Sequence, residues 1–342
     1  MSPKDPLLTQ SYDFHLDESF IATTPASPKD SAKLLVYDRQ AQTITHSTFN
    51  QIDTFLDADT AVIFNNTKVI KARLYGKKNS GGKIELLINR PLPEDLFSVY
   101  IRGKVKVDTI LTFDEGLIAT VVALHDSGTR DVIFSYENKT LDFLALQTFL
   151  DRIGHLPLPP YMHREDNKSD ETNYQTVFAK DAGAVAAPTA SLHFTDELFK
   201  SFTDRHPHAY ITLHVGAGTF KPVEHDTITD HPMHSEYYTI SHEALDIIDS
   251  KQKLLAVGTT VTRTVEYYVR ENKTEGESNL FLHPNNPPQR VNQLLTNFHL
   301  PKSTLIMLVA SFVGLEKTLE LYEEAKAHNY RFYSYGDAML IL

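Results

Sequence analysis

The stretch KLLAVGTTVTRTVEYYV at residues 253–269 decides the fold, because a short apolar run is followed at once by a glycine and a helix-like segment. The same order recurs in ITLHV followed by GAGTF at 211–220, and in QLLTNF followed by HLPKSTLIMLVASF at 293–312. This alternation predicts an α/β main domain, with a parallel-rich sheet flanked by helices. Ligands of such sheets bind beyond the carboxyl ends of the strands, so we expect a site at these three ends.

A different texture covers residues 61–136, where short apolar strands are separated by NSGG, PLPED, DEG and HDSGT. Such close spacing predicts a small β-barrel or β-sandwich. A helix is predicted at 141–153, and LLVYDRQAQTITH at 34–46 resembles a hairpin. We therefore expect residues 1–60 and 151–342 to form the α/β catalytic domain, and residues 61–150 to form an inserted β-barrel domain.

Composition excludes several classes of protein. The 342 residues are enough for two domains. The chain contains no cysteine, which rules out disulfides, thiolate nucleophiles and cysteine-ligated metals. The longest apolar run, at 304–315, is too short to span a bilayer and predicts a buried helix. The opening MSPKDPLLTQ lacks the pattern of a secretory signal, so we expect a cytoplasmic protein with no membrane association. Nothing suggests a helical zipper or a swapped element, which favours a monomer.

The charge is unevenly distributed along the chain. The net charge of −11 argues against nonspecific coating of nucleic acid, yet residues 61–113 hold ten Lys and Arg against four acids. A basic module on an acidic body predicts local contact with a polyanion. The alternative, which we weight equally, is that these lysines lie on exposed strand edges and prevent pairing with other chains. The foremost candidates for contact are Lys68, Lys71, Arg73, Lys77 and Lys78.

The three strand ends carry polar residues suited to a ligand. They are His214, Gly216, Gly218 and Thr219 at the first end, Thr259, Thr260 and Arg263 at the second, and His299, Lys302, Ser303 and Thr304 at the third. Glycine allows close approach of a ligand, and Ser303 and Thr260 are candidate helix caps. Each residue also has a structural interpretation: a tight turn, a cap, or an Arg263–Glu266 ion pair on the helix. The coincidence of all three ends favours a site.

Two further clusters contain histidine. AGAVAAPTASLHFT at 182–195 places His193 in a loop of small residues, where it is either an acid–base group or a buried structural histidine. His225, His231, His234 and Glu236 invite a zinc interpretation, which Pro232 and the irregular spacing disfavour. We therefore predict no metal and no prosthetic group.

Long strings of the chain are similar to one family in order from end to end. They include FNNTKVIKARLYGKK, GAVAAPTASLHFT, LHVGAGTFKPV, AVGTTVTRTVE, LLTNFHLPKSTLIMLV and YRFYSYGDAML. The chain thereby resembles the S-adenosylmethionine:tRNA ribosyltransferase-isomerase family of queuosine biosynthesis. It departs from the family pattern at Ser191, where glycine is usual, and in the loop 283–293, where Asn292 stands near an expected aspartate.

The resemblance implies an α/β domain with an inserted barrel, in agreement with the strand pattern. It implies that S-adenosylmethionine, as co-substrate, donates its ribosyl group to 7-aminomethyl-7-deazaguanine at the wobble position of tRNA. The products are epoxyqueuosine-tRNA, adenine and methionine. A nucleosidase-like hydrolase and a non-catalytic RNA-binding protein are the alternatives.

The implied chemistry needs a base, an acid and a closed pocket. Residues with suitable acid–base chemistry are His193, His214, His234, Glu236 and His299. The candidates for binding S-adenosylmethionine are Thr189, Phe194, Gly216, Gly218, Thr219, Phe220, Thr259, Thr260, Arg263, Asn297, Phe298, Lys302 and Ser303. Among these, Arg263 or Lys302 would hold the methionine carboxylate, and the three phenylalanines would stack on a base.

Overall fold

The computed structural model describes residues 4–216 and 223–342. Its strands are β1 (Lys33–Asp38), β2 (Thr43–Thr48), β3 (Ala61–Asn65), β4 (Thr67–Val69), β5 (Arg73–Lys78), β6 (Lys83–Pro91), β7 (Leu96–Arg102), β8 (Ile110–Thr112), β9 (Ile118–Leu124), β10 (Arg130–Tyr136), β11 (Lys139–Thr140), β12 (Asp181–Ala184), β13 (His208–Leu213), β14 (Glu236–Ile240), β15 (Leu254–Val257), β16 (Glu275–Ser278), β17 (Gln293–Asn297) and β18 (Ala338–Ile341). Its α-helices are α1 (Phe143–Ile153), α2 (Asp170–Asn173), α3 (Asp196–Thr203), α4 (His242–Ile248), α5 (Thr259–Glu271), α6 (Thr304–Val313) and α7 (Leu315–Ala327).

A nine-stranded mixed sheet forms the main body, in the order β16-β14-β13-β3-β15-β17-β18-β1-β2. The four central strands β13, β3, β15 and β17 run parallel to one another. The predicted strands of the three junctions are therefore β13, β15 and β17, and their carboxyl ends meet at one edge of the sheet. The α/β prediction is confirmed, and the predicted hairpin is β1–β2 at the outer edge of the sheet.

Strand β3 corrects one expectation. The sequence pattern places the run AVIFN in the inserted barrel, but in the structure it pairs with β13 and β15 at the centre of the nine-stranded sheet. All five of its residues are buried. A strand covered on both faces is apolar throughout, whereas a barrel strand alternates, and this difference explains the placement. The boundary predicted at residue 61 therefore falls too early, and the division into two domains stays a proposal.

The predicted barrel lies between residues 73 and 136. Six strands close in the order β10-β7-β6-β5-β8-β9, with β9 returning to β10. Inward side chains such as Leu74, Leu86 and Val99 fill the interior, and Leu146 and Leu150 of α1 join the same apolar cluster. Helix α1 begins after Asp142, whose carboxylate caps the backbone N–H of Ala145. The predicted helix is thus confirmed with its start two residues later.

Helices α5 and α6 follow directly from β15 and β17 and position the groups at the sheet edge. Helix α6 is the predicted buried helix, with seven of its ten residues buried. Across residues 4–216 and 223–342, no helix has the length and apolar character needed to cross a membrane.

The loop that departs from the family pattern lies away from that edge. It precedes β17 and so meets the amino end of the strand. Asn292 Oδ1 accepts the N–H of Leu254 at 2.9 Å, and the Glu266 carboxylate accepts the N–H groups of residues 289–291. These contacts give residues 283–293 a structural role at the opposite end of the sheet.

Candidate active site

A cleft opens at the carboxyl ends of β15 and β17, as the strand order predicts. Its walls combine small apolar side chains with hydroxyl and amide groups. They include Ala186, Ala187, Thr189, Val215, Thr259, Thr260, Thr296, Asn297, Phe298, His299, Ser303, Tyr333 and Ser334. We call this hollow the first cleft. Gly258 also lines the first cleft, and its φ of +100° is a backbone conformation that residues other than glycine rarely adopt.

Asn297 presents an unused acceptor to the first cleft. Its amide nitrogen donates to His193 Nε2 at 3.3 Å, and both side chains are buried. Asn297 Oδ1 has no hydrogen-bond partner among the residues that the structure describes. A buried amide oxygen left without a partner is unfavourable unless a ligand supplies a donor. The geometry therefore points to a ligand N–H or O–H at this position.

His193 holds the amide and does not line the first cleft. Burial, followed by the nearby charges of Arg331 and Lys29, lowers the pKa of His193 to about 3. The ring is therefore neutral at physiological pH and accepts through Nε2. Its neighbours include Phe49, at 4.8 Å between ring centroids. His193 acts as the positioning partner of Asn297.

His299 and Ser303 are held by local hydrogen bonds. His299 Nε2 lies 2.8 Å from Thr296 Oγ1, and burial lowers the pKa of His299 to about 3. Ser303 Oγ accepts the N–H of Ile306, which confirms it as the cap of α6. Thr260 does not cap α5, because the helix begins after Gly258 and includes Thr260. Its hydroxyl instead lies 3.4 Å from Asn65 Nδ2.

A second cleft lies between the sheet edge and the barrel. Residues 89–93 of the β6–β7 hairpin form one wall, and His214, Gly216, Glu236 and Tyr237 form the other. Successive side chains of an extended chain point in opposite directions. Val215 therefore faces the first cleft while His214 and Gly216 face the second, and one strand of backbone separates the two hollows.

His214 is fixed in the wall of the second cleft. Its Nδ1 lies 2.8 Å from Thr67 Oγ1, and a β-carbon on Gly183 would lie only 2.8 Å from its Cε1. Glycine at 183 thus gives the ring its place. Burial lowers the pKa of His214, and the negative charge of Asp181 opposes that shift. The imidazole is neutral near pH 7 and oriented as a proton acceptor would be.

Arg263 pairs with Glu236, not with Glu266 as the helix spacing suggested. The Arg263 guanidinium donates to Glu236 Oε2 at 2.7 Å, and its other donors reach backbone carbonyls, the nearest being that of Leu280 at 3.1 Å. Although burial opposes ionisation, the adjacent Arg263 lowers the pKa of Glu236 to about 2. Glu236 also accepts the N–H of Gly216 at 3.2 Å and lies 3.7 Å from His234 Nε2. This buried pair braces the second cleft.

The remaining candidates fall in different places. Lys302 Nζ lies 3.0 Å from the carboxylate of Asp13 at the surface. Phe194 packs in the core, with Phe49 and Phe64 around its ring, and so does not reach either cleft. Phe298 is buried but borders the first cleft. Gly218, Thr219 and Phe220 lie outside the described residues.

The histidines considered for zinc do not converge. Within the described ranges, His225, His231, His234 and Glu236 form no group of three potential ligands. His225 and His231 contact one another edge to face, with ring centroids 6.1 Å apart.

Sequence reasoning missed the contribution of β3. Asn65 Oδ1 accepts the N–H groups of Thr67 and Leu213, and Asn65 Nδ2 donates to the Leu213 carbonyl, each at 3.0–3.1 Å. Asn65 thereby ties the ends of β3 and β13 together, and Thr67 orients His214. The polar FNNT sequence after an apolar run carries this signal, but the strand pattern places the run in the barrel.

Comparison with known proteins is consistent across sequence and structure. A family model described as queuosine biosynthesis protein matches residues 9–341. Relatives from a Nitratiruptor species and from Aliarcobacter butzleri, both named S-adenosylmethionine:tRNA ribosyltransferase-isomerase, are each 61% identical over 338 residues and cover 99% of both chains. A crystal structure of an S-adenosylmethionine tRNA ribosyltransferase from Thermotoga maritima is 31% identical, with a TM-score of 0.53 and coverage of 97% of this chain and 100% of its own.

Proposed function

The chain belongs to the queuosine biosynthesis protein family, as an enzyme of its S-adenosylmethionine:tRNA ribosyltransferase-isomerase group, and from this we propose how its two clefts divide the reaction. The first cleft binds the adenine of S-adenosylmethionine, and the ribose reaches past Val215 to the second cleft, which also admits the 7-aminomethyl-7-deazaguanine of tRNA. The observation that carries this proposal is the unpartnered Asn297 Oδ1 at the carboxyl edge of the parallel strands. It matches a donor such as the exocyclic amino group of adenine.

The reaction proceeds by proton removal next to a sulfonium. The positive sulfur acidifies the 5′ carbon of the ribose, and a base takes a proton there as adenine leaves and the ring opens. The primary amine of the acceptor then adds to the exposed aldehyde carbon, which opens the C=O bond, and that oxygen is retained as the oxygen of the epoxide. Closure to the epoxycyclopentane ring expels methionine and gives epoxyqueuosine-tRNA. No covalent bond to the protein is needed, which suits a chain without cysteine.

His214 is the base that the geometry favours. Among the five acid–base candidates, His193 lies behind Asn297, Glu236 is committed to Arg263, and His234 lies beside Glu236. His299 lines the first cleft, but its pKa near 3 makes it a weak base. His214 is only partly buried and keeps a carboxylate nearby, so its pKa stays closer to the pH of the reaction.

Lys302, and not Arg263, is the group that we assign to the methionine carboxylate. All three nitrogens of the Arg263 guanidinium donate to groups inside the protein. Lys302 lies between Pro301 and Ser303, which both line the first cleft. Its partner Asp13 is partly exposed, so a ligand carboxylate can replace that contact. Exchange of one surface ion pair for another has a small energetic cost.

One incubation tests the function. Purified protein is mixed with S-adenosylmethionine and tRNA carrying 7-aminomethyl-7-deazaguanine, and adenine release and the mass of the digested nucleoside are followed. We expect adenine together with the mass gain of the epoxycyclopentane. Adenine without modified tRNA would indicate the hydrolase, and neither product would leave an RNA-binding protein.

The variant Asn297→Ala tests the first cleft in the same assay. Loss of one buried hydrogen bond is expected to lower kcat/KM by roughly 10- to 100-fold, with a raised KM for S-adenosylmethionine. Asn286→Ala, at a polar residue away from both the first cleft and the sheet edge, is the matched control. Unchanged kinetics in Asn297→Ala would remove this residue from the binding site.

We further propose that the barrel contacts tRNA through one end. Of the five foremost basic residues, Lys71 pairs with Glu171 at 2.9 Å and Arg73 with Glu85 at 3.1 Å. Lys68 is exposed on β4, but a larger group of cations, five exposed and one half-buried, gathers where β5 ends, where β6 begins and at and beyond the end of β7. This distal barrel end comprises Lys77, Lys78, Lys83, Arg102, Lys104 and Lys106. Strand pairing places Lys77 opposite Lys83, and Lys78 Nζ donates to the Lys104 carbonyl.

Charge reversal at the distal barrel end is expected to weaken tRNA binding. The double variant Lys77→Glu, Lys83→Glu should bind tRNA roughly tenfold more weakly at low salt. The slope of log K against log[salt] should become shallower by roughly 0.7–0.9 for each phosphate that is no longer neutralised. Filter binding across salt concentrations measures both effects. The control is Lys251→Glu, Lys273→Glu, which reverses two exposed lysines of the main body. Equal behaviour of the two double variants would place the tRNA surface elsewhere.

The setting of the reaction completes the proposal. Because its substrate is tRNA, we place the protein in the cytoplasm, and we assign it a monomeric state and no metal or prosthetic group in the reaction. The chemistry supports the last point, since sulfonium activation supplies the acidity that a metal would otherwise provide.

A further inference from the structure

Two histidines and a glutamate converge at the outer edge of the nine-stranded sheet. His46 lies on the edge strand β2, and Glu324 and His328 lie at the C-terminal end of α7. His46 Nε2 is 3.2 Å and His328 Nδ1 is 3.1 Å from the same oxygen, Oε1 of Glu324. His328 Nδ1 also lies 3.0 Å from the backbone carbonyl oxygen of Glu324, a contact that a metal at Nδ1 would replace. The two imidazole rings are stacked with centroids 4.0 Å apart. Three strong ligand groups thus meet at one point.

The spacing of these atoms matches the ligand shell of a small transition metal. Ligands bound tetrahedrally to zinc at about 2.0–2.1 Å lie roughly 3.3 Å from one another. The contacts at 3.1 and 3.2 Å are close to that value, and all three ligand atoms lie within 4.8 Å of one another.

The surroundings hold one ligand in a suitable orientation. His46 Nδ1 lies 2.9 Å from the hydroxyl of Tyr330, a buried side chain, which turns Nε2 toward Glu324. Histidine ligands of metals usually have their second ring nitrogen fixed in this way. Lys33 lines the same hollow as the two histidines, and its ammonium group donates to the carbonyls of His328 and Asn329 at 2.7 and 3.0 Å. Those two carbonyls reduce its repulsion of a bound cation.

We propose that His46, Glu324 and His328 form a binding site for a divalent transition metal, Zn²⁺ foremost. The side chains are 33, 36 and 50% exposed in the order His46, Glu324, His328, so water can complete the coordination. The site lies three strands beyond β17, roughly 14 Å by strand spacing, and takes no part in the proposed reaction. Its consequence is structural: a metal there would fasten the exposed edge strand β2 to α7.

Zinc titration of the full-length, chelator-treated protein tests the site. Calorimetry with ZnCl₂ should show one equivalent bound to these residues with release of protons, and Zn²⁺ should raise the melting temperature. His46→Ala and His328→Ala should each weaken this binding at least roughly tenfold and abolish the thermal shift. Tyr330→Phe, which keeps the ring but removes the hydroxyl, should weaken it less.

A histidine outside the proposed site supplies the control for zinc binding. His242→Ala removes an exposed histidine on α4 and should bind Zn²⁺ as the unaltered protein does. Melting of each variant without metal shows whether it folds, and His46→Gln gives a more conservative change if His46→Ala does not. Equal zinc affinity in His46→Ala and the unaltered protein would place the metal elsewhere, for example at His225 and His231. Absence of binding in the unaltered protein would also overturn the assignment.

Discussion

Glu236→Ala is expected to lower the free energy of unfolding by about 3–5 kcal/mol, because it leaves the buried charge of Arg263 without its carboxylate. Arg263 and Glu236 are 4% and 3% exposed, and their contact is 2.7 Å. Solvent therefore reaches the Arg263 guanidinium too little to compensate for the lost carboxylate. Urea denaturation of the variant and the unaltered protein measures the difference directly.

An exposed ion pair supplies the matched control. Asp57 and Lys253 lie 2.6 Å apart, but their side chains are 60% and 56% exposed. Asp57→Ala should change stability by less than about 1 kcal/mol. The double variant Glu236→Ala, Arg263→Met should recover part of the loss, since neither charge remains buried. If Glu236→Ala is no more damaging than Asp57→Ala, the pair is not a structural brace.

The same pair predicts the response to acid. The pKa of Glu236 is lowered from 4.5 to about 2, so its ionised form is favoured by folding. Its contribution to stability is fully present above pH 4.5 and is lost as the pH falls toward 2. The unaltered protein should therefore lose more stability across this window than Glu236→Ala does. Parallel pH profiles would contradict the depressed pKa.

The sequence predicts the position of the site at the carboxyl edge of the sheet, because there the pattern depends on residues that are close in the chain. The ends of β13, β15 and β17 were expected together because polar residues follow apolar strands there, and Ser303 caps α6 as its position suggested. Contacts between distant segments could not be predicted in this way. Arg263 was expected to pair with Glu266 three residues away, yet its partner Glu236 lies on another strand.

Strand β3 shows why pattern alone misassigned part of the site. A short apolar run has the same composition in a central parallel strand and in a barrel, and only its neighbours in the fold distinguish them. Once β3 is placed between β13 and β15, Asn65 and Thr67 join the site edge. The orientation of His214 by Thr67 spans 147 residues, so no spacing rule would have shown it.

His214→Gln is expected to lower kcat by roughly 10²–10⁴-fold, the usual contribution of a general base. Glutamine keeps much of the length and polarity of the side chain, including a group able to bond Thr67. The folding stability and the affinity for tRNA should therefore change little. Single-turnover assays of adenine release, with separate tRNA binding, distinguish the loss of chemistry from the loss of substrate.

The pH dependence and a second variant decide between the two histidines that line the clefts. Because the pKa of His214 is lowered below its ordinary 6.5, the protonated, inactive form accumulates only at acidic pH. Activity should therefore rise with pH and level off below about 6.5, and this limb should disappear in His214→Gln. His299→Gln, in the first cleft, should retain far more turnover, since burial makes His299 a much weaker base. The reverse order of the two variants would transfer the role to His299 and move proton removal into the first cleft.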